Sequence, residues 1–261
     1  MPEGDTVFQA AARLHRALAG KTLTHCDVRV PRFATSDLSG RTVDEVLARG
    51  KHLLIRVGEY TVHSHLKMEG RWDIYTKGAK WRRPAFKARI ILEAGSVQAV
   101  GFELGTLEIL RRADEDAAVG HLGPDLLGAD WDADVAVANL SSNPARPIGL
   151  ALLDQRMLAG IGNVFRCEMC FLRRTHPAVP VADAGDLREW VDLAKKVLEF
   201  NRNRTIRVTN VDRAGERTWV YGRAGRPCGR CGTTVRSVDL GGGSTDLERV
   251  IYWCPSCQPP P

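Results

Sequence analysis

The stretch CGRCGTTVRSVDLGGGSTDLERVIYWCPSC, residues 228–257, gives the strongest structural signal in the chain. It contains two Cys-x-x-Cys pairs, Cys228 with Cys231 and Cys254 with Cys257, separated by 22 residues. Four thiolates on two tight turns complete a tetrahedral shell around Zn²⁺, and a closed shell of this kind is structural. Two strand-like pieces flank a glycine-rich turn between the pairs. The stretch therefore predicts a β-hairpin held by one structural zinc ion, and redox-active pairs or a fortuitous grouping of cysteines are the alternatives.

Basic residues suggest what this hairpin would contact. Arg249 lies on the returning strand, where a zinc-held hairpin would present it to DNA. The net charge is +6, and the basic residues concentrate in 67–89 and 201–236, around an acidic block at 103–134. A basic face of this kind fits double-stranded DNA as the partner. An uneven solvated surface would give the same counts.

Length and composition limit the class of protein. A chain of 261 residues with 44% hydrophobic residues can form two domains with their own cores. It has no stretch of about 18 uninterrupted apolar residues, and its first residues do not resemble a secretory signal. Its seven cysteines are an odd number, which argues against a disulfide framework. We expect a soluble cytoplasmic monomer with no membrane partner, associated with the nucleoid if the source is bacterial.

The hydrophobic pattern changes along the chain. Helical periodicity over 5–19 is followed by short strand-like segments over 22–110, and helices are predicted again at 148–158, 164–172 and 186–200. This order predicts an α+β fold, with an N-terminal helix and β-sandwich followed by a helical domain and the zinc hairpin. The expected parts are 1–121 (first domain), 122–134 (linker), 135–220 (helical domain), 221–258 (zinc finger) and 259–261 (disordered tail).

The segment LLDQRMLAGIGNVFRCEMC, residues 152–170, predicts two helices joined by a glycine-containing turn. The second helix would begin near Gly162–Asn163, where free backbone N–H groups and the helix dipole favour a phosphate. The side-chain amide of Asn163 would add a donor, although a plain helical turn is an equally simple interpretation. We expect Cys167 and Cys170 in this helix to be core residues rather than a second metal or redox site.

Two residues of the β-rich region are candidates for contact with DNA. Lys51 follows a glycine at the start of a predicted strand, a place where a lysine is usually a solvated charge. Met68 lies in a predicted turn between Lys67 and Glu69. A methionine there is either part of the core or an exposed apolar wedge of the kind that enters a base stack.

The chain begins with MPEGDTV, so that Pro2 and Glu3 stand at the start of a predicted helix. Proline is tolerated at the first helical position and a glutamate suits the helix dipole, so an ordinary helix start is one interpretation. The other is chemical, because removal of Met1 would expose a secondary amine. Attack of this amine on a sugar C1′ gives an iminium ion, which acidifies the C2′ proton and permits loss of the 3′-phosphate. Glu3 is placed to move protons in this step.

Five motifs occur together: Pro2-Glu3, Gly50-Lys51-His52-Leu53, GIGN, VYGRAGRPC and RVIYWCPSC. On these motifs the chain resembles the formamidopyrimidine-DNA glycosylase/endonuclease VIII family over nearly its whole length, and PEG after the methionine favours the endonuclease VIII branch. The resemblance implies a helix–two-turn–helix domain and a bifunctional DNA glycosylase/AP lyase of base excision repair. Such an enzyme flips a damaged nucleotide out of the duplex. We expect it to remove oxidised pyrimidines and to cleave the strand by β,δ-elimination.

The resemblance also implies roles for single residues. Pro2 would be the nucleophile, Glu3 the acid and base, and Lys51 a phosphate contact that assists elimination. Asn163 and Arg249 would hold the phosphates around the flipped nucleotide. The remaining implied DNA contacts are Met68 as the wedge, Gly162, Tyr221 and Arg223, and the implied zinc ligands are Cys228, Cys231, Cys254 and Cys257.

The chain departs from its relatives at a few positions. Asp5 stands where many have a proline, Thr6 stands where many have a glutamate, and the triplet Lys67-Met68-Glu69 is not the usual one of the endonuclease VIII branch. The alternatives are therefore a glycosylase for oxidised purines such as 8-oxoguanine, an enzyme confined to abasic sites, and a catalytically inactive protein that binds damaged DNA.

Overall fold

The structure is a computed structural model, and it describes residues 2–210, 215–241 and 249–261. The chain divides into two compact units, Met1–His121 and Leu122–Pro261. The first is a helix with two β-sheets, and the second is mainly helical and carries a β-hairpin. The predicted α+β class is confirmed. Within the described ranges, no helix has the length and apolar character needed to cross a membrane.

The first unit is a β-sandwich with one long helix. Helix α1 spans Gly4–Leu18, and its buried residues Val7, Ala10, Ala11, Leu14 and Leu18 recur at helical spacing. Eight strands follow: β1 His25–Val28, β2 Val43–Arg49, β3 His52–Val57, β4 Tyr60–His65, β5 Arg71–Thr76, β6 Ala88–Ala94, β7 Val97–Phe102 and β8 Thr106–Arg111. They form two antiparallel sheets, ordered β1-β6-β7-β5 and β2-β3-β4-β8.

One core joins these layers. Alternate residues of β3, among them Leu53 and Ile55, are fully buried and lie in the same hydrophobic cluster as Ile90 and Leu92 of β6. Side chains on a strand alternate between its two faces, so this face of each sheet is apolar and the sheets pack on each other and on α1. A short helix α2, Glu115–Val119, follows β8.

In its described residues, the second unit contains four α-helices and the hairpin. The helices are α3 Ala133–Ser141, α4 Ile148–Ala151, α5 Asn163–Leu172 and α6 Leu187–Asn201, and the strands are β9 Arg236–Leu240 and β10 Arg249–Trp253. The predicted helices at 164–172 and 186–200 are confirmed. Trp190 of α6 and Phe165 of α5 are fully buried in the core of this unit. Leu126, from the segment predicted as a linker, is buried in the same core.

The helix predicted over 148–158 is wrong in length, because α4 ends at Ala151. The carboxylate of Asp154 accepts the backbone N–H of Arg156 at 3.0 Å and binds the side chains of Arg146 and Arg156. An aspartate that bonds backbone two residues onward closes a turn in place of a helix. Leu158, which follows this turn, is still buried in the core. The apolar residues of the segment therefore recur at helix-like spacing although the helix ends earlier.

Candidate functional site

Pro2 lies just outside the first helix. Helix α1 begins at Gly4, and Glu3 is the N-cap residue in extended conformation. The carbonyl of Glu3 accepts the N–H groups of Thr6 at 3.0 Å and Val7 at 3.1 Å. The interpretation of Pro2 as the first helical residue is therefore wrong, and Pro2 stands before the helix.

Glu3 is the buried acid of this N-terminus. It is 0% exposed, whereas Pro2 is partly accessible. The neighbouring carboxylate of Asp5 accepts the backbone N–H of Thr6 at 2.7 Å and its hydroxyl at 3.2 Å. Asp5 and Thr6 thus form a hydrogen-bonded pair in the first turn of α1. From the sequence, the two residues were noted only as departures from relatives.

Lys51 lies in the tight turn between β2 and β3. Arg49 pairs with His52, so Gly50 and Lys51 form a two-residue hairpin loop. Gly50 has a φ of 56°, and a positive φ at the first loop position is the conformation that favours glycine in such turns. The glycine before Lys51 therefore fixes the direction in which the chain leaves β2.

Met68 is an exposed apolar side chain on the loop between β4 and β5. It is 62% exposed, so the interpretation as a core residue is wrong. Two hydrogen bonds order the loop: the N–H of Gly70 donates to the carbonyl of Leu66 at 2.9 Å, and the N–H of Lys67 donates to the side-chain Nδ1 of His65 at 3.0 Å. An exposed methionine on a defined loop is suited to insertion between bases.

A group of histidines near Lys51 was missed by sequence reasoning. The ring centre of His52 lies 5.1 Å from those of His63 and His65 and 6.3 Å from that of His121. Burial lowers the pKa of His52 to about 3, and burial together with the charges of Lys67 and Lys51 lowers the pKa of His65 to about 4. The one sequence signal for this group was the strand-like alternation of YTVHSHL, which puts His63 and His65 on the same face of a strand.

The N-terminus of α5 is tied to the hairpin. Gly162 is the N-cap and Asn163 the first helical residue. The amide Nδ2 of Asn163 donates to the carbonyl of Val250 at 2.9 Å. Since Arg249 precedes Val250 on β10, the structure brings the backbone of Arg249 close to Asn163.

Arg166, which sequence reasoning missed, holds this junction. Its side chain is 0% exposed, and its Nη2 donates to Oδ1 of Asn163 and, at 3.2 Å, to the carbonyl of Val250. This arrangement fixes the oxygen of the Asn163 amide toward Arg166 and its nitrogen toward the hairpin. The spacing of three residues on one helix was the available signal.

Tyr221 is held by a buried acid. Glu168 is 0% exposed and accepts the backbone N–H groups of Trp219 at 2.7 Å, Val220 at 2.9 Å and Tyr221 at 2.8 Å. Burial raises the pKa of the Glu168 carboxyl. The ring of Tyr221 packs against Tyr252 of β10 with centres 5.1 Å apart. One carboxylate thus anchors the VYGR segment to α5.

Arg223 has partners within the protein. It is 7% exposed, forms an ion pair with Glu216 at 2.7 Å, and donates through Nη2 to the carbonyl of Pro227 at 3.0 Å. Its guanidinium therefore braces the loop that leads to Cys228.

Four cysteines meet at the base of the hairpin. The sulfur atoms of Cys228, Cys231, Cys254 and Cys257 all lie within 4.8 Å of one another, and those of Cys231 and Cys254 are 3.4 Å apart. Strands β9 and β10 pair antiparallel from Leu240 with Arg249 to Arg236 with Trp253. The predicted cysteine-held hairpin is confirmed, and its glycine-rich turn, 242–248, lies outside the described residues.

The other cysteine pair is part of the core. Cys167 and Cys170 on α5 are both fully buried. Burial raises the pKa of Cys167 to about 11 and also raises the pKa of Cys170. Within the described part of the chain, the four-cysteine group is the one that could hold a metal ion. The prediction that Cys167 and Cys170 are core residues is confirmed.

Two family models match the chain in the order of its two units. Residues 1–102 match the formamidopyrimidine-DNA glycosylase N-terminal domain, and residues 122–199 match the formamidopyrimidine-DNA glycosylase H2TH domain. The chain belongs to the formamidopyrimidine-DNA glycosylase/endonuclease VIII family. The relatives described next place it in the endonuclease VIII branch.

Two similar proteins cover almost the full chain. Probable endonuclease 8 2 of Streptomyces coelicolor is 56% identical over 100% of this chain and 95% of its own length. DNA-(apurinic or apyrimidinic site) lyase Nei2 of Mycolicibacterium smegmatis is 55% identical over 99% of both chains.

Solved structures support the fold. MutM in complex with DNA containing carbocyclic 8-oxo-G has a TM-score of 0.81 at 22% identity, over 99% of this chain and 100% of that one. Lactococcus lactis Fpg in complex with DNA containing an oxidised pyrimidine has a TM-score of 0.82 at 22% identity over the same shares. This likeness places both units of the chain within the architecture of those proteins.

Proposed function

We propose that this protein is a bifunctional DNA glycosylase and AP lyase of base excision repair that acts on oxidised pyrimidines. The observation that carries the proposal is the position of Pro2, which stands before α1 while the buried Glu3 caps the helix. The amine of Pro2 would thus be available for chemistry once Met1 is removed. The similar protein named as an AP lyase, 55% identical over nearly the whole chain, supports the same reaction class.

The chemistry follows from a secondary amine. Attack of the Pro2 nitrogen on C1′ of the damaged nucleotide displaces the base, and Glu3 supplies the proton that opens the sugar ring. The resulting iminium has no N–H to lose, so it keeps its charge and withdraws electrons from C2′. Loss of the C2′ proton then expels the 3′-phosphate, and a second elimination expels the 5′-phosphate. Lys51 is proposed to contact the phosphate and assist elimination.

The DNA contacts are proposed to come from both units. Asn163, Gly162 and Arg249 would hold the phosphates beside the flipped nucleotide, as donors at a helix N-terminus and on a hairpin suit that role. Met68 would fill the vacated position in the stack. Tyr221 would contact the DNA from its anchored segment. For Arg223 we propose a supporting part in the same surface, because its guanidinium is engaged by Glu216 and Pro227.

The four cysteines are proposed to bind one structural Zn²⁺. A tetrahedral Zn²⁺ with Zn–S distances of about 2.3 Å places its sulfurs about 3.8 Å apart, and the sulfur atoms here lie within 4.8 Å of one another. The donor set therefore fits the ion. Bound there, zinc would hold the hairpin that carries Arg249 and would take no part in the reaction. The protein is further proposed to act as a cytoplasmic monomer on chromosomal DNA.

Borohydride trapping tests the reaction. The protein is mixed with duplexes that carry an abasic site, thymine glycol or 8-oxoguanine, and borohydride reduces any iminium to a stable covalent complex. We expect trapping with the first two duplexes, stronger on thymine glycol than on 8-oxoguanine. A form whose mass shows a residue retained before Pro2 is the control and should trap none. Absence of trapping by a protein whose mass lacks Met1 would overturn the proposal.

A further inference from the structure

Three strands of the second sheet carry a row of ionisable side chains on one face. His52 on β3 lies directly across from His65 on β4, and His63 on β4 lies directly across from Glu108 on β8. Directly opposed residues share a face of a sheet. Val62, which precedes His63 on β4, packs in the sandwich core. The row therefore lies on the face turned away from that core.

Three of these side chains form a hydrogen-bonded chain. His63 Nδ1 lies 2.9 Å from Oε2 of Glu108, and His63 Nε2 lies 2.8 Å from Nδ1 of His52. The two rings are inclined by only 15°, and their centres lie 5.1 Å apart. His63 is 3% exposed, so water does not compete for its two contacts.

The order of donors along this chain follows from chemistry. A carboxylate can only accept, so Glu108 requires a proton on His63 Nδ1. When His63 carries one proton, at Nδ1, its Nε2 accepts from His52 Nδ1. His52 is left with an unprotonated Nε2 and a ring held at two points, its backbone and its hydrogen bond.

The position of His52 connects this chain to the proposed chemistry. His52 directly follows Lys51 and closes the Gly50–Lys51 hairpin loop by pairing with Arg49. We propose that Glu108 and His63 form a relay that fixes the tautomer and orientation of His52. Through His52, which adjoins Lys51, Glu108 and His63 act as positioning residues for Lys51 during strand cleavage. The positioning role rests on the function proposed above, whereas the relay itself does not.

Nitrogen NMR of the full-length protein, labelled at histidine, tests the relay directly. The ¹⁵N shifts of an imidazole show which nitrogen carries the proton. We expect His52 and His63 to be protonated at Nδ1 and unprotonated at Nε2 at pH 7. Glu108→Ala should remove this pattern, and Glu108→Gln should retain it, because a glutamine oxygen accepts at the same place. A His52 protonated at Nε2, or a doubly protonated His63, would overturn the relay.

Strand cleavage of an abasic-site duplex tests the positioning role. Misplacement of a catalytic group by about 1 Å costs on the order of a hundredfold in rate. We expect Glu108→Ala to lower kcat tenfold or more with KM changed less than threefold, Glu108→Gln to retain most of the activity, and the control Glu45→Ala, on the same sheet, to match the wild type.

The two proposals fail in different ways. If Glu108→Ala melts at the wild-type temperature and loses the tautomer pattern but keeps kcat within twofold, the positioning role is overturned while the glycosylase/lyase proposal stands. If the wild-type protein does not cleave abasic DNA, the proposed function is overturned and the positioning role with it. The NMR pattern decides the relay in either case.

Discussion

The two units hold their candidate residues by different means. In the first unit, Pro2, Lys51 and Met68 each stand where a helix or strand begins or ends, and backbone geometry places them. In the second unit, Asn163 and Tyr221 are held by the buried charges of Arg166 and Glu168 on one helix. A turn tolerates many side-chain changes around it, whereas a buried polar network fails when one partner is removed. The units should therefore respond differently to substitution.

The largest effect is expected at the buried acid of the first unit. Glu3→Gln keeps the size of the side chain but removes its proton transfer, so single-turnover base release should slow by about 10²–10⁴-fold. The unfolding free energy in urea should stay close to that of the wild type, because the N-cap carbonyl of Glu3 remains. Glu59→Gln, an exposed carboxylate of the same unit, is the control. A Glu3→Gln protein with wild-type rates would remove Glu3 from the reaction.

A network effect is expected at Arg166 in the second unit. Its Nε and Nη1 find no hydrogen-bond partner among the residues that the structure describes. Burial of this cation therefore adds little to the stability of the second unit. Arg166→Met keeps the length and loses the hold on Asn163. We expect the Kd for a duplex with an uncleavable abasic-site analogue to rise about tenfold, as for a lost hydrogen bond to a charged group.

The stability of Arg166→Met separates positioning from folding. Its unfolding free energy should change by less than about 2 kcal/mol, since an apolar side chain of similar volume replaces a desolvated charge. Arg188→Met, an exposed arginine on α6 paired with Asp192, serves as the control and should bind normally. Equal losses of affinity in the two variants would show that the effect is one of overall charge.

The sequence could predict features that depend on neighbouring residues better than features that depend on contacts between residues distant along the chain. Hairpin loops, caps and the cysteine pairs are local, so Lys51 and Cys228 could be placed from neighbouring residues alone. The hydrogen bonds of Arg166 to Val250, of Glu168 to Trp219 and of His63 to Glu108 join residues that are distant along the chain, and local spacing gives only a weak signal for them. The helix predicted past Ala151 failed for a local reason, because Asp154 bonds the side chain of Arg146 and the backbone of Arg156 and closes a turn in place of the helix.

A pH effect on stability is expected from His65 of the first unit. The pKa of His65 is lowered to about 4 in the folded state, against about 6.5 in an unfolded chain. Below pH 6.5 the unfolded chain therefore binds a proton that the folded state refuses, and stability present at pH 7 is lost as the pH falls toward 4.

The slope of this loss is the measurement. A single histidine of this kind contributes at most about 1.4 kcal/mol per pH unit, less the part screened by solvent. In urea unfolding between pH 7 and 5, His65→Asn should flatten the slope. The exposed His25→Asn is the control and should leave it unchanged. A slope equal in the wild type and His65→Asn would show that His65 is not held neutral.

The smallest effect is expected at Arg249 of the second unit. Arg249 is exposed at the start of β10, next to Val250, whose carbonyl accepts the amide of Asn163. Arg249→Ala should weaken binding of the lesion duplex modestly and reduce the slope of log Kd against log salt by about 0.9, the value for one phosphate contact. Arg236→Ala, exposed on the partner strand β9, is the matched control. If both variants keep the wild-type salt slope, Arg249 does not contact phosphate, and the hairpin would contribute to binding through Asn163 and the bond to Val250 alone.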